Sequence, residues 1–468
     1  MQRLSAMDTT YLVGESRETP MHFGGLCLLT IPEGEDEAEF IRRQLEILRS
    51  PKEWRLPFGH RLVMSRLGAA GPTYWEPDAQ LDVDHHVRRS SLPRPGGFRE
   101  LFVLVARLHE SLLDRRRPLW EMQVIDGLQN RQLALYWKMH HAASDGVSGL
   151  RLALDMVSPD PDERRDYSPF SRRAHELAKA KRDRPRSEPA TKGDLEAVAA
   201  LLRESFGSTT DLLESLTTYA RAWWSDEEEP LTTAWTPAPK SAFSGNVTEA
   251  RRFVAQSYSL PRVRAVGKAL GGTINDVVLA MCGGAMRRYL LALGELPEQP
   301  LTAMTPVSLR AEGQRKVGNA VGALIANLGT HLSDPEERFA AVTASMNAGK
   351  ALLRGMSAKA IELFTLVTLT PAWFVGVLGL GDRFPPYSTV ISNIPGPRER
   401  RYWNGARLDG LYPVGNLNHG AALNITLLSN DDQLDFGIVA CPDRVPHAQR
   451  LVDDLQDALE ELERAAGL

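Results

Sequence analysis

Cysteine is scarce in this chain, and Cys27, Cys282 and Cys441 lie far apart. They form neither the paired framework of a disulfide-stapled domain nor a metal-ligand spacing, so no metal site is expected. Each is expected to be a small buried side chain in a reducing cytoplasm. Charge excess is also missing. A formal net charge of −4 gives no electrostatic reason for nucleic-acid binding. The first residues, Met1 to Asp8, lack the long apolar core of a secretion signal. No internal repeat recurs. Leu363 to Leu380 is largely apolar and runs uncharged for nearly the length of a membrane span. Its threonines 365, 368 and 370, Pro371, two glycines and the absence of a flanking basic cluster predict a buried or pocket-lining helix instead.

With 468 residues the chain is too long for one hydrophobic core, and its 43% apolar and 24% charged content is ordinary for a globular protein. Strand-like and helix-like patterns mix in both halves, giving an α/β (mixed α+β) class. The expected units are an N-terminal domain (1–157), a polar, partly helical connector (158–245) and a C-terminal domain (246–468). The connector carries a basic cluster from Arg172 to Arg186, a helical pattern over 194–224 and the pair Trp223-Trp224. Strands are predicted at 251–260, 301–309, 321–330, 388–392, 421–429 and 433–441. Helices are predicted at Ile274–Leu293, with Thr273 as cap, and at His447–Ala466.

The chemistry concentrates in His140-His141-Ala142-Ala143-Ser144-Asp145-Gly146. Leu133 to Met139 has the composition of a buried strand, and Val147, Leu150, Leu154 and Val157 recur at helical spacing. The motif is therefore a strand-to-helix loop. Neighbours on an extended chain point opposite ways, so one histidine faces a cleft and the other is buried as support. Gly146 permits the tight turn into the helix. Imidazole, with an ordinary pKa of about 6.5, can take the proton of an alcohol attacking a thioester and return it to the leaving thiolate. Such a base contributes about 10² to 10⁴ in rate. A serine triad is disfavoured because Ser144 lacks the Gly-x-Ser-x-Gly elbow. A metal site lacks a third ligand.

The His-His-x-x-x-Asp-Gly run resembles that of the chloramphenicol acetyltransferase-like superfamily. Within it the chain is similar to the bacterial bifunctional wax ester synthase/diacylglycerol acyltransferase family. That resemblance runs nearly end to end. It includes Leu4 to Asp8, Pro20 to Gly25, Leu81 to Arg88, Arg117 to Glu121, Asn275 to Ala280, Pro306 to Arg310, Ser392 to Pro397 and Tyr402 to Gly405. It implies two mixed-sheet domains with flanking helices and an active-site channel between them. Acyl-CoA would enter as substrate from one side, with no further cofactor, and a long-chain alcohol or diacylglycerol from the other. It also implies cytoplasmic residence with peripheral contact to the inner membrane or lipid droplets.

Carried over to this chain, the resemblance makes His141 the base, with His140 in support. Asp145 would hold the loop through an arginine, either Arg117 or Arg310. Asn275, in a helical first turn, either stabilises the oxyanion and places the acceptor or merely helps cap the helix. Ser144, Gly146 and Trp120 are candidate substrate contacts, although Pro118-Leu119-Trp120 reads chiefly as packing. Thr370 and the polar loop around Asn418 are expected to narrow the acceptor channel and favour shorter or more polar alcohols.

Overall fold

The computed structural model describes residues 2–4, 6–51, 53–64, 73–144, 146–181, 234, 236–308, 321–353 and 358–468. Arg310, the 194–224 helix, Trp223-Trp224 and the distal part of the basic cluster lie outside them, as does Asp145.

Two six-stranded mixed sheets organise the chain. The first has the order β12 (Tyr402–Trp403), β13 (Ala406–Val414), β2 (His22–Thr30), β7 (Gln132–His140), β6 (Trp120–Asp126), β5 (Val87–Ser91). The second runs β10 (Val321–Asn327), β9 (Thr302–Ser308), β11 (Thr389–Ile394), β14 (Leu423–Asn430), β15 (Gln433–Ala440), β8 (Arg252–Ser259). A small third sheet joins β1 (Gln2–Arg3), β4 (Thr73–Pro77) and β3 (His60–Met64). Each predicted C-terminal strand is present within a few residues. The Ile274–Leu293 helix has Thr273 as its cap and Gly294 in the left-handed conformation at its end.

Strand β7 shows how the period of two divides labour. Leu133, Leu135, Trp137 and Met139 pack on one face with the Gly146–Met156 helix residues Leu152, Ala153 and Met156. Ala134 and Tyr136 face the opposite core, which also holds Leu101 and Val105 of the Phe98–Glu110 helix. That helix packs against β8 as well, so a single core runs from the first sheet into the second. Lys138 lies on the same face as Tyr136 and is buried. Its Nζ donates to the carbonyls of Leu108 at 2.9 Å and Ser111 at 2.6 Å, where the helix runs out of its own donors.

The division at 157 and 246 does not coincide with the sheets. The chain leaves β11, crosses over, and adds β12 and β13 to the first sheet beside β2. Ser158 and residues 168–171 are also packed rather than part of a free linker. Ser158 bridges Tyr402, Ser171 bridges Trp54, and Phe170 is buried among Trp54, Phe58 and Trp120. Arg172 and Arg173 pair with Glu53 and Asp166, each at 3.4 Å. The uncharged segment forms the Ala358–Leu378 helix, continuous through Pro371. Ile361, Phe364, Thr368 and Val375 are buried, but Trp373, Phe374, Val377 and Leu378 are exposed, so the expectation of a buried helix holds for one face only. Among the described residues no single helix is long and apolar enough to cross a membrane. All three cysteines are buried and free.

Asp435 stitches the two sheets together. Its fully buried carboxylate accepts from the Leu411 N–H of β13 at 2.7 Å, from Ser257 Oγ at 2.5 Å and from Asn430 Nδ2 at 3.1 Å. Burial outweighs these donors and pushes its pKa up to about 6. A raised folded-state pKa means that the folded form holds the proton more tightly than the unfolded one. Stability from this group is therefore full below its ordinary pKa and is lost as pH climbs towards 6. Asp435→Asn should lower stability overall yet remove this slope, at most about 1.4 kcal/mol per pH unit between pH 4 and 6. Urea unfolding of both proteins across that range checks it; a constant difference between them contradicts the assignment.

Candidate active site

The ladder between β2 and β7 runs from Thr30–Gln132 to His22–His140, so His22 lies opposite the first motif histidine. Two further backbone bonds hold the end of β7, one to each neighbouring strand segment. His141 N–H donates to Met21 C=O at 2.8 Å, and His140 N–H donates to Leu119 C=O at 3.1 Å. Beyond this point the chain turns sharply, with Ala143 and Ser144 N–H both directed at His140 C=O. The Gly146–Met156 helix begins immediately afterwards. It approaches the strands closely, since a Cβ on Gly149 would stand 2.4 Å from the Phe23 ring.

The two histidines part company here. His140 is fully buried. Its Nδ1 accepts the Ala142 N–H at 3.0 Å, which places the ring proton on Nε2. Nε2 lies 3.3 Å from Glu15 Oε1, close enough for strong electrostatic contact but off the line of a good hydrogen bond. His141 is half-buried, on the other side of the chain. Its ring stacks on Tyr11 at 5.0 Å, with 21° between planes, and meets Phe23 at 4.7 Å. Two aromatic rings thus flank it.

Glu15 is itself buried. Oε1 accepts the Met21 N–H at 3.1 Å, and Oε2 accepts Arg115 Nε and Nη2 at 3.1 and 2.8 Å. Burial opposes its ionisation, but the contacts with His140, Arg115 and Met21 outweigh this and hold the carboxyl below its usual range. Beneath His140, His22 Nε2 meets His109 C=O at 2.7 Å. His109 contacts Tyr136 Oη at 2.8 Å and Gly415 C=O at 3.0 Å. Burial, reinforced by nearby Lys138, pushes His109 down to about 3, and burial drives His22 well below its ordinary value. Both are neutral hydrogen-bonding groups at physiological pH.

The other sequence candidates divide. Ser144 is half-buried in the motif turn, and Gly146 opens the helix. Trp120 is buried. It donates from Nε1 to Phe58 C=O at 3.0 Å, stacks on His86 at 4.7 Å and walls a small apolar cavity with Met139, Leu152 and Met156. Its described contacts are those of a packing residue. Asn275 stands beside the capping box formed by Thr273 and Asp276, which cap that helix without it. Its helix packs against Leu260–Ala269, Pro335–Leu353 and Arg450–Ala465, all in the C-terminal half. Asn418 is half-buried in the loop that follows β13, and His109 ties the start of that loop to the first sheet. Thr370 belongs to the Ala358–Leu378 helix, its side chain lying outside the described part. Arg117 reaches Asp82 at 3.4 Å and Asp114 at 3.9 Å.

Tyr11, Glu15, Met21, Phe23 and Arg115 were not among the sequence candidates. Only strand pairing brings them to the motif. A faint signal existed, since Tyr11 and Glu15 stand four residues apart just before Pro20-Met21-His22-Phe23.

Removal of the Trp120 indole separates packing from substrate contact. Trp120→Ala should cost about 3–5 kcal/mol of stability, as large aromatic truncations in cores do. Trp120→Phe should leave the acyl-chain-length profile unchanged. A shifted profile with intact stability would instead make Trp120 a substrate contact.

Comparison with known proteins accords with the histidine loop. Residues 4–278 match the wax ester synthase/diacylglycerol acyltransferase catalytic domain, and residues 317–463 match the C-terminal domain of the same family. A Mycobacterium tuberculosis protein bearing the name "Probable diacyglycerol O-acyltransferase tgs2" is 42% identical over 470 residues, covering all of both chains. The O-acyltransferase WSD of Acinetobacter baylyi is 35% identical, covering 98% of this chain and 96% of its own. The solved wax ester synthase/diacylglycerol acyltransferase of Marinobacter aquaeolei VT8 superposes with a TM-score of 0.78 at 38% identity, over the whole of both chains. A condensation domain of the calcium-dependent antibiotic synthetase shares the fold, with a TM-score of 0.54 at 15% identity over 98% of this chain and 96% of that domain. The chain belongs to the wax ester synthase/diacylglycerol acyltransferase family.

Proposed function

We propose that this protein transfers a long-chain acyl group from acyl-CoA to the hydroxyl of a fatty alcohol or of diacylglycerol, with His141 as the general base. The reading rests on one observation above the others: the His141 ring is held between Tyr11 and Phe23 at the end of β7, half-exposed, while His140 is locked inside. The acceptor oxygen attacks the thioester carbonyl as His141 takes the hydroxyl proton. When the tetrahedral adduct collapses, the carbon–sulfur bond breaks and the imidazolium protonates the departing thiolate. The products are an ester and free CoA, and no protein nucleophile is needed. Names and matched domains of the relatives support the substrate classes.

The test is purified protein with palmitoyl-CoA and either hexadecanol or dioleoylglycerol, following free thiol. His141→Ala should lower CoA release by about 10² to 10⁴-fold. Equal rates in the two proteins would sink the assignment.

The acceptors are water-insoluble, and the same reading includes peripheral contact with a lipid surface. Trp373, Phe374, Val377, Leu378, Leu380 and Phe384 are all exposed at the end of the Ala358–Leu378 helix, with exposed Arg383 at their edge. Six large apolar groups in so short a span are more than ordinary surface scatter, and Trp and Phe beside a basic residue suit an anionic interface. The Ala6–Gly14 helix touches this helix and carries both exposed Val13 and Tyr11, which gives a short route from the lipid to His141. Trp373→Glu together with Phe374→Glu should abolish co-sedimentation with phosphatidylglycerol-containing vesicles. Retained sedimentation contradicts lipid contact through this face, and loss of a dimer in light scattering would identify a second copy as its occupant.

A further inference from the structure

Glu15 stands outside the histidine motif, yet its carboxylate touches both of the groups that set the motif's geometry. One oxygen receives the Met21 N–H at 3.1 Å, and the carbonyl of that same Met21 receives the His141 N–H at 2.8 Å. That oxygen also faces His140 Nε2 at 3.3 Å, while His140 Nδ1 fixes the first amide of the loop, Ala142 N–H, at 3.0 Å. The other oxygen is anchored by two nitrogens of Arg115. Glu15 is 3% exposed at its side chain and His140 is 0% exposed, so water does not weaken the contact.

From this geometry we propose that Glu15 is a positioning residue for the acyl transfer, acting through His140 and Met21 to hold His141 in place. The proposal rests on the reading of His141 as the base. The carboxylate favours the His140 tautomer with its proton on Nε2, because that nitrogen lies 3.3 Å from negative charge. The Nδ1 lone pair is then free to hold the Ala142 amide. With the other tautomer, Nδ1–H and Ala142 N–H would be two donors facing each other, and the first turn of the loop would open. The function is kinetic: the residue keeps the base within reach of the acceptor proton, where small misplacements cost large factors in rate. The network reaches the site only through the Met21 backbone and the His140 side chain, so substrate affinity should be spared.

The test compares kcat and KM for palmitoyl-CoA with hexadecanol in wild type, Glu15→Gln, His140→Gln, the double variant and His141→Ala. Glu15→Gln keeps the shape and removes the charge. Its kcat should fall 10- to 100-fold with KM changed less than twofold. The double variant should be no slower than the slower single, since both act on one unit. Wild-type kcat in Glu15→Gln, a KM change equal to the kcat change, or independent multiplying effects in the double variant would overturn the proposal. Substantial activity in His141→Ala would instead defeat the base assignment on which it rests. If Glu15→Gln does not fold, Arg115→Gln loosens the same carboxylate from the surface side. Lowered kcat at unchanged KM then supports the clamp, and wild-type kcat overturns it.

Discussion

The hydrogen bond from His141 N–H to Met21 C=O is the end of the β2–β7 ladder and the point on which the site depends. Up to that bond the chain is a regular strand, with alternate residues committed to opposite cores. Past it the backbone turns within a few residues into the Gly146–Met156 helix. A strand slipped by one residue in register would exchange the histidines, sending His141 inward and His140 outward. Register is therefore what assigns the roles, and it is set by Leu26 to Leu29 of β2 packing against both faces of the sheet.

The surroundings of that bond are polar in a graded way. His22 and His109 are too deeply buried to charge, and they act as neutral links between the first sheet and the loop at Gly415. Glu15 is ionised because its donors outweigh its burial, and Asp435 shows the reverse balance at the seam between the sheets. The same chemistry, a buried carboxylate with three sets of partners, gives opposite shifts because an arginine attends one and none is among the partners of the other.

Much of this was legible in the sequence. Period-two and 3.6-residue patterns located β7, the C-terminal strands and the helix capped by Thr273, because those elements are bounded by strong turn and cap residues. Extended-chain geometry said that one of His140 and His141 faces the cleft, and the family resemblance chose His141. What escaped were features that need pairing over long distances. Tyr11 and Glu15 reach the motif only because β2 follows the Ala6–Gly14 helix closely and pairs with β7. The Ala406–Val414 strand was not among the predicted ones, and its crossing into the first sheet is likewise invisible to local pattern. Trp120, whose segment reads in the sequence chiefly as packing, has its indole against Phe58, His86 and Phe170. The uncharged helix was judged by composition, which cannot tell its covered face from its bare one.

The most direct measurement is a structure of the protein with CoA and hexadecanol bound together. The account predicts the alcohol oxygen within about 3.2 Å of a His141 ring nitrogen, with the CoA sulfur approaching the same ring. An alcohol hydroxyl held by another side chain, with His141 turned away from both substrates, would contradict it.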